Sequence, residues 1–259
     1  MSSHLKKWES AEIERSAAEA AHIDPAALVC ADLSRYLDPA PDTAYPLEYS
    51  FYLLGNVNES RVLEYGCGDG ENTAALAQRT VKSITSLDIS PDLIGIARRR
   101  LALNGALSRV DFVVGSAHEL PFPDESIDVV FGIAILHHLD LALAAREVRR
   151  VLRKGGRAIF QEPVRNSRLM RFIRRLIPYR APDVSPFERP LTDRELQQVA
   201  AGYSSYHSRA FQLPLTTILN MTPGLRGQWR RWQHWDAVVL KKIPAINTYA
   251  SIRVIELVK

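Results

Sequence analysis

The chain has 259 residues, 46% hydrophobic and 24% charged, a mixture too apolar for a disordered chain and too varied for a fibrous one. Two cysteines, Cys30 and Cys67, exclude a disulfide framework and a cysteine-rich metal site. No apolar run approaches the roughly 18 residues of a membrane span. The opening MSSHLKKWESAEIERSAAEA is charged throughout and lacks the apolar stretch of a secretory leader, so the expected compartment is cytoplasmic.

The net charge of +4 is unevenly spread. Residues 1–160 carry 17 basic and 22 acidic side chains, a net of −5, whereas residues 161–259 carry 16 and 7, a net of +9. Such asymmetry directs the last third of the chain towards something anionic.

In chain order, residues 4–22 read as a charged helix. Asp38 to Asp42 form a proline-broken loop, and Tyr45 to Leu54 an aromatic-bearing segment leading into a sheet. Arg61 to Tyr65 is a short apolar strand that stops at a glycine cluster, followed by a helix from Asn72 to Thr80. Ser83 to Asp88 is a second strand, after which Ser90-Pro91 supplies an N-cap and first-turn proline for a helix to about Leu103. Further strands are expected over Val110–Gly115, Ile127–Gly132 and Arg157–Gln161. The helix Leu139–Leu152 lies before the last of these and ends at Lys154-Gly155-Gly156. Helices at Ser167–Ile177, Thr192–Ala201 and Gln228–Lys242 and strands at Tyr203–Phe211 and Ser251–Val258 complete the chain. Strands and helices alternating at this length predict βαβ units and a mainly parallel sheet with right-handed crossovers.

Two features carry chemistry. Glu64-Tyr-Gly66-Cys67-Gly68-Asp-Gly70 lies between the first strand and its helix, at the carboxyl edge where open parallel sheets bind ligands. Glycines there let a ligand approach the backbone. The spacing is G-x-G-x-G behind a carboxylate, not G-x-G-x-x-G, and suits a ligand with an ammonium group better than a diphosphate. Alone, the loop is either a ligand cradle or a tight packing turn. Asp88, about 20 residues further on, is placed to accept both hydroxyls of an adenosine ribose. Its alternative role, capping the next helix, already has a candidate in Ser90.

The ordered motifs VLEYGCGDGENTAALA (62–77), LDIS (87–90), GSAHELPFPDESIDVVFGIAILHHL (115–139) and VLRKGGRAIFQEP (151–163) resemble the class I S-adenosylmethionine-dependent methyltransferases, in their small-molecule and quinone-type branch. The resemblance spans about residues 50–163. It implies an α/β fold: a Rossmann-like seven-stranded, mostly parallel sheet with helices on both faces, an N-terminal helical cap and a C-terminal lid insertion. The last strand would be the antiparallel one. In domain terms, residues 1–55 would be the cap, 56–163 the cofactor-binding core, and 164–259 the lid and completion of the same domain. The implied cofactor is S-adenosyl-L-methionine, leaving as S-adenosyl-L-homocysteine. Carried over, Glu64, Gly66, Cys67, Gly68 and Gly70 would surround its methionine part and Asp88 its ribose. Ile89, Ser116 and Ala117 would border the adenine, and Ile133, with Ala134, would lie near the reactive end. Many members have Asp where Ser116 stands, so adenine recognition would pass to the Ala117 backbone and to Ile89.

Methyl transfer asks the site to hold an acceptor atom in line, about 3 Å from the methyl, and to exclude water. A hydroxyl acceptor also gains from a general base. His137 and His138, after the fourth strand, and Glu162, ending the fifth, are the candidates at the sheet's edge. Their bland roles are a helix cap, a packing residue and a turn acceptor. Cys67 reads as packing between glycines.

Arg165 to Arg180 contains six arginines and no acid, with Leu169, Phe172, Ile173 and Leu176 at helical spacing. This basic amphipathic helix is a wet lid face, a site for an anionic acceptor through Arg171 and Arg175, or a membrane-surface contact. Tyr45 and Tyr49 would close the acceptor pocket from the N-terminal side. Trp229, Trp232 and Trp235, three apart, form one helical stripe that reads as a core or lid-packing face. No nucleic-acid partner is expected, since no recognised RNA-binding module is attached. Monomer and homodimer both stay open. The sequence thus leads to methylation of a small-molecule acceptor, with oxygen favoured. Its alternatives are a lipid or quinone acceptor at the membrane surface and a non-catalytic cofactor-binding scaffold.

Overall fold

The computed structural model describes residues 3–24, 28–30, 32–167, 189–214, 216, 219 and 228–259. Seven strands form one sheet: β1 (Arg61–Tyr65), β2 (Ser83–Asp88), β3 (Val110–Val114), β4 (Ile127–Ile133), β5 (Leu152–Pro163), β6 (Ser205–Phe211) and β7 (Ile252–Val258). Their order is β3-β2-β1-β4-β5-β7-β6, with β7 antiparallel to both its neighbours and the β1 to β5 pairings all parallel. The expected Rossmann-like α/β sheet is the one observed. Chain direction reverses its lateral progress at β1 and β4, which puts a topological switch point in the middle of the sheet.

Described helices are α1 (Ser3–Ala21), α2 (Pro46–Leu54), α3 (Glu71–Leu76), α4 (Pro91–Leu103), α5 (Leu141–Val151), α6 (Asp193–Val199) and α7 (Trp229–Lys242). Successive strand residues face opposite sides, and the core divides accordingly. Leu63, Tyr65, Val130 and Phe160 pack with α5 and α6 residues such as Val148 and Leu196. Val62, Ile84, Phe131 and Ile159 pack with α2, α3 and α4 through Phe51, Leu54, Leu76 and Leu101. Phe131 and Phe160 are buried, so each contributes on the order of 2 kcal/mol through area removed from water. Ser90 caps α4 by accepting from Leu93 N–H, with Pro91 in the first turn, as the sequence predicts.

Four local expectations change. Tyr45–Leu54 contains a proline-started helix, α2. α3 ends at Leu76, short of Thr80, and the Arg79 guanidinium instead donates to the carbonyls of Tyr36, Phe51 and Gly55. β5 begins at Leu152, and Gly155 and Gly156 are an irregularity within it. The pairing with β4 slips there, and a Cβ on Gly156 would come within 2.9 Å of the Arg153 carbonyl. Finally, the buried face of α7 is Gln233, Asp236 and Leu240, whereas Trp229 and Trp235 are exposed. Asp236 turns inward because its carboxylate accepts from Leu213 N–H and the Thr216 hydroxyl. The arginine-rich segment, including Arg171 and Arg175, lies outside the described residues.

Candidate active site

A cavity of about 260 Å³ opens at the carboxyl edge of β1, β2 and β4 and is covered by α1. The loop after β1 forms its floor. Gly66 and Cys67 both donate to the Leu87 carbonyl, at 2.9 and 3.0 Å, and Gly68 N–H donates to Asp88 Oδ2 at 2.9 Å. Gly66, Gly68 and Gly70 all have left-handed φ, of 80°, 52° and 83°. Glycine is needed for different reasons at each. A Cβ on Gly68 would meet nothing within 4 Å and would fill the cradle, whereas one on Gly70 would lie 2.8 Å from the Ala97 backbone. Gly68 is therefore an open approach to the backbone and Gly70 a packing turn. Gly66 lines the cavity, but a Cβ there would strike Ile135 at 2.7 Å.

Asp88 is mostly buried and faces this cavity. Its carboxylate also accepts from Ser90 N–H at 2.9 Å, so each oxygen holds one backbone donor and retains lone pairs for ligand hydroxyls. Burial raises its pKa, opposed by the bonds from Ser90 and Gly68. Glu64 is not on the cavity wall. It is fully covered beneath the loop, where Oε2 accepts from the Thr73 and Ser86 hydroxyls, each at 2.6 Å. Desolvation pushes its pKa up to about 7 against the pull of those two hydrogen bonds. Cys67 lines the cavity with its thiol pushed far up by burial, away from nucleophile chemistry.

Ile89, Ala117 and Ile133 line the cavity. The Ala117 carbonyl is pinned by the Tyr65 hydroxyl at 2.6 Å. Ala134, also on the wall, has φ +54°, a strained conformation for a residue with a Cβ. Ser116 is turned instead to α1, where its hydroxyl donates to Glu9 Oε1.

The three acid–base candidates separate. Glu162 is completely buried behind the wall and gathers the loop after β4. It accepts from the backbone N–H groups of Ile135, Leu136 and His137 at 2.9, 2.7 and 3.4 Å, and it bonds His137 Nδ1 at 2.9 Å. His137 is buried in that contact. His138 does line the cavity, with Nδ1 3.7 Å from Glu12 Oε2. Burial, then the neighbouring His137 ring at 4.0 Å, holds its imidazole well below the ordinary range, so it is neutral at pH 7. Tyr45 and Tyr49 do not reach this cavity. Tyr45 packs on Trp229 and Arg230, and Tyr49 on Phe211 and Arg209, tying α2 to α7 and β6.

Sequence reading missed the roof. Trp8, Glu9, Glu12, Arg15, Ser16 and Glu19 of α1 all line the cavity. The signal was present: positions 9, 12, 16 and 19 recur every three or four residues and share one helical face. With Asp69, Glu71 and Asp88, the described residues of the wall hold six carboxylates against the single guanidinium of Arg15. A nucleoside carrying a cationic sulfonium and an ammonium group fits this donor and charge set, with open backbone at Gly68, acceptors at Asp88 and negative charge around it.

Residues 63–160 match the family described as Methyltransferase domain. A fatty-acid O-methyltransferase from Mycolicibacterium smegmatis is 34% identical over 159 residues, 60% of this chain and 50% of that protein. A demethylmenaquinone methyltransferase from Chlorobaculum tepidum is 33% identical over 112 residues, 43% of this chain and 44% of that protein. The chain spans about half the length of the curated relatives it matches. Among solved structures, a SAM-dependent methyltransferase from Methanosarcina mazei has the same fold, with a TM-score of 0.56 and 18% identity over 83% of this chain and 97% of that one. Over residues 63–160, the chain is thus similar to the class I S-adenosylmethionine-dependent methyltransferases.

Proposed function

We propose that the protein is an enzyme that methylates a small-molecule acceptor from S-adenosyl-L-methionine and releases S-adenosyl-L-homocysteine. Residues 56–163 are the cofactor-binding core, residues 1–55 its cap, and residues 164–259 the part that chooses the acceptor. One observation carries this reading: a single cavity combines the open Gly68 backbone, the Asp88 carboxylate and a wall of carboxylates. Bound there, the cofactor supplies an electrophilic sulfonium methyl. The chain's own part is placement. Gly68 admits the ligand to the backbone beside Gly66, Asp88 accepts from the ribose hydroxyls, and Ile89 and Ala117 offer an apolar wall to the base.

Oxygen is the acceptor atom we favour. Neutral His138, beside Glu12, can take the proton of an acceptor hydroxyl. Glu162 and His137 act through position, holding the Ile135–His137 backbone that presents His138. The relative named as a fatty-acid O-methyltransferase supports oxygen. The one named as a demethylmenaquinone methyltransferase supports a second reading, a quinone-type acceptor at a membrane surface.

The test is incubation with methyl-labelled cofactor and separate polar-metabolite and lipid extracts. Label in a methyl ester or ether of a small molecule is the expected result. Label on quinone carbon selects the second reading. Tight binding of S-adenosyl-L-homocysteine with no transfer to either extract replaces both with a non-catalytic scaffold.

A further inference from the structure

We propose that Glu9, on the N-terminal helix α1, reads the exocyclic amino group of the cofactor's adenine, so that the roof of the cavity sets base selectivity. This rests on the cofactor reading above.

The loop after β3 lies beside Asp88, because β3 and β2 pair in parallel with Asp88 opposite Val114. A nucleoside whose ribose meets Asp88 therefore lays its base between Ile89 and the Ala117 segment, all on the cavity wall. Glu9 enters the wall at this place from above. Its Oε1 takes two donors. The Ser116 hydroxyl is one, and His118 Nδ1, at 3.0 Å, is the other. The tautomer of His118 follows from its far side: Asp140 N–H donates to Nε2 at 3.0 Å, so the proton is on Nδ1. Ser116 Oγ accepts from His118 N–H at 3.0 Å, which aims its own proton at Glu9.

Both donors thus converge on one oxygen and orient the carboxylate. Its other oxygen, Oε2, takes no hydrogen bond among the described residues, and the side chain, which lines the cavity, keeps 11% of its exposure. The wall beside the base therefore presents a carboxylate oxygen with no donor of its own from the described residues. Adenine offers one donor group on its six-membered ring, the 6-amino group. Hypoxanthine carries an oxygen in the same place, which would face Oε2 as acceptor against acceptor. A site built to bond a ligand N–H rejects an analogue that lacks it more strongly than hydrophobic contact could.

The experiment is calorimetry of the full chain with S-adenosylhomocysteine and its deaminated analogue S-inosylhomocysteine. Wild type should prefer the adenosyl compound by about ten- to a hundredfold, the range of a hydrogen bond to a charged group. Glu9→Gln makes the sharper case. Ser116 and His118 are both donors, so they fix the amide oxygen in the place of Oε1 and turn the NH₂ towards the base. The preference should then fall to within about threefold of unity or invert, because the amide now donates where it accepted. Glu9→Ala should bring the two affinities together without inversion.

Unseating of α1 alone would weaken both ligands equally and leave their ratio unchanged. A full adenosyl preference in both variants, or no preference in wild type, overturns the assignment. Failure of wild type to bind either compound removes the cofactor reading itself.

Discussion

Glu64 heads the glycine loop, yet its carboxyl is sealed under it and is half protonated near neutral pH. With a folded value of about 7 against an ordinary 4.5, the folded state holds more protons than the unfolded chain between those values. Its contribution to stability is full below about 4.5 and is lost as pH rises through 7. Glu64→Gln keeps an oxygen for Thr73 and Ser86 but does not titrate. Thermal melts without cofactor should show that the variant lacks a decline of roughly 5 °C between pH 5 and pH 8 present in wild type. Parallel curves for the two proteins would refute the assignment. The glycines divide in the same way. Gly68→Ala should cost about 1 kcal/mol of stability from its left-handed φ and weaken S-adenosylhomocysteine at least tenfold, measured by calorimetry. Gly70→Ala should cost about 1–3 kcal/mol, seen in denaturant midpoints, through overlap with the Ala97 backbone. For His138, depression of the imidazole predicts that kcat holds between pH 7.5 and pH 6, because the base form persists. A fall centred near 6.5 in wild type would assign that step elsewhere. His138→Asn should lower kcat about a hundredfold or more and leave product affinity within about threefold.

Among elements, the loop after β4 depends on one buried carboxylate. Glu162 collects donors from Ile135, Leu136 and His137, so Glu162→Ala should destabilise the protein by about 3 kcal/mol and lower kcat by misplacing His138. Glu162→Gln should recover part of the stability, since its amide oxygen still accepts. Equal losses in both variants, read by chemical denaturation, would show that the bonds do not matter. How much of this was legible depends on range. β1 and β2 could be read to the residue because short apolar runs end at Gly66 and Asp88, a signal contained within each run. α4 was legible because Ser90 and Pro91 are local start signals. Glu162 could be suspected of a turn role, but its donors lie 25 to 27 positions earlier in the chain, and no local pattern encodes them. The acidic stripe of α1 was visible as a helix. Its covering of the cavity was not, because only tertiary packing brings Glu9 to Ser116 and His118. The tryptophan spacing misled for the converse reason: buried Asp236 outcompeted it for the inward face by bonding Leu213 and Thr216.

At the scale of the whole molecule, the charge division seen in the sequence has a spatial sense. Acidic side chains of the first 160 residues supply the carboxylates of the cavity, and the basic excess lies in the part proposed to meet the acceptor. Among the described residues no helix is long and apolar enough to cross a membrane. The sheet imposes a further dependence, since β7 lies between β5 and β6 and pairs with both. Removing residues 252–259 would take out an inner strand, strip β6 from the sheet and expose Phe160. Such a truncation should be insoluble or show no cooperative melt, whereas a cooperative transition near the wild-type temperature would contradict the topology. The pairing of β6 with β7 sets Phe211 directly opposite Ile252, so the chain between these two residues starts and ends at one doorway in the sheet. Chain inserted or exchanged between two fixed, adjacent posts costs closure entropy that grows only as the logarithm of its length. Residues 212–251 are in that sense a cassette. If the proposed acceptor role of this stretch holds, its exchange alters what is methylated and leaves the pairing of β1 to β5 in place.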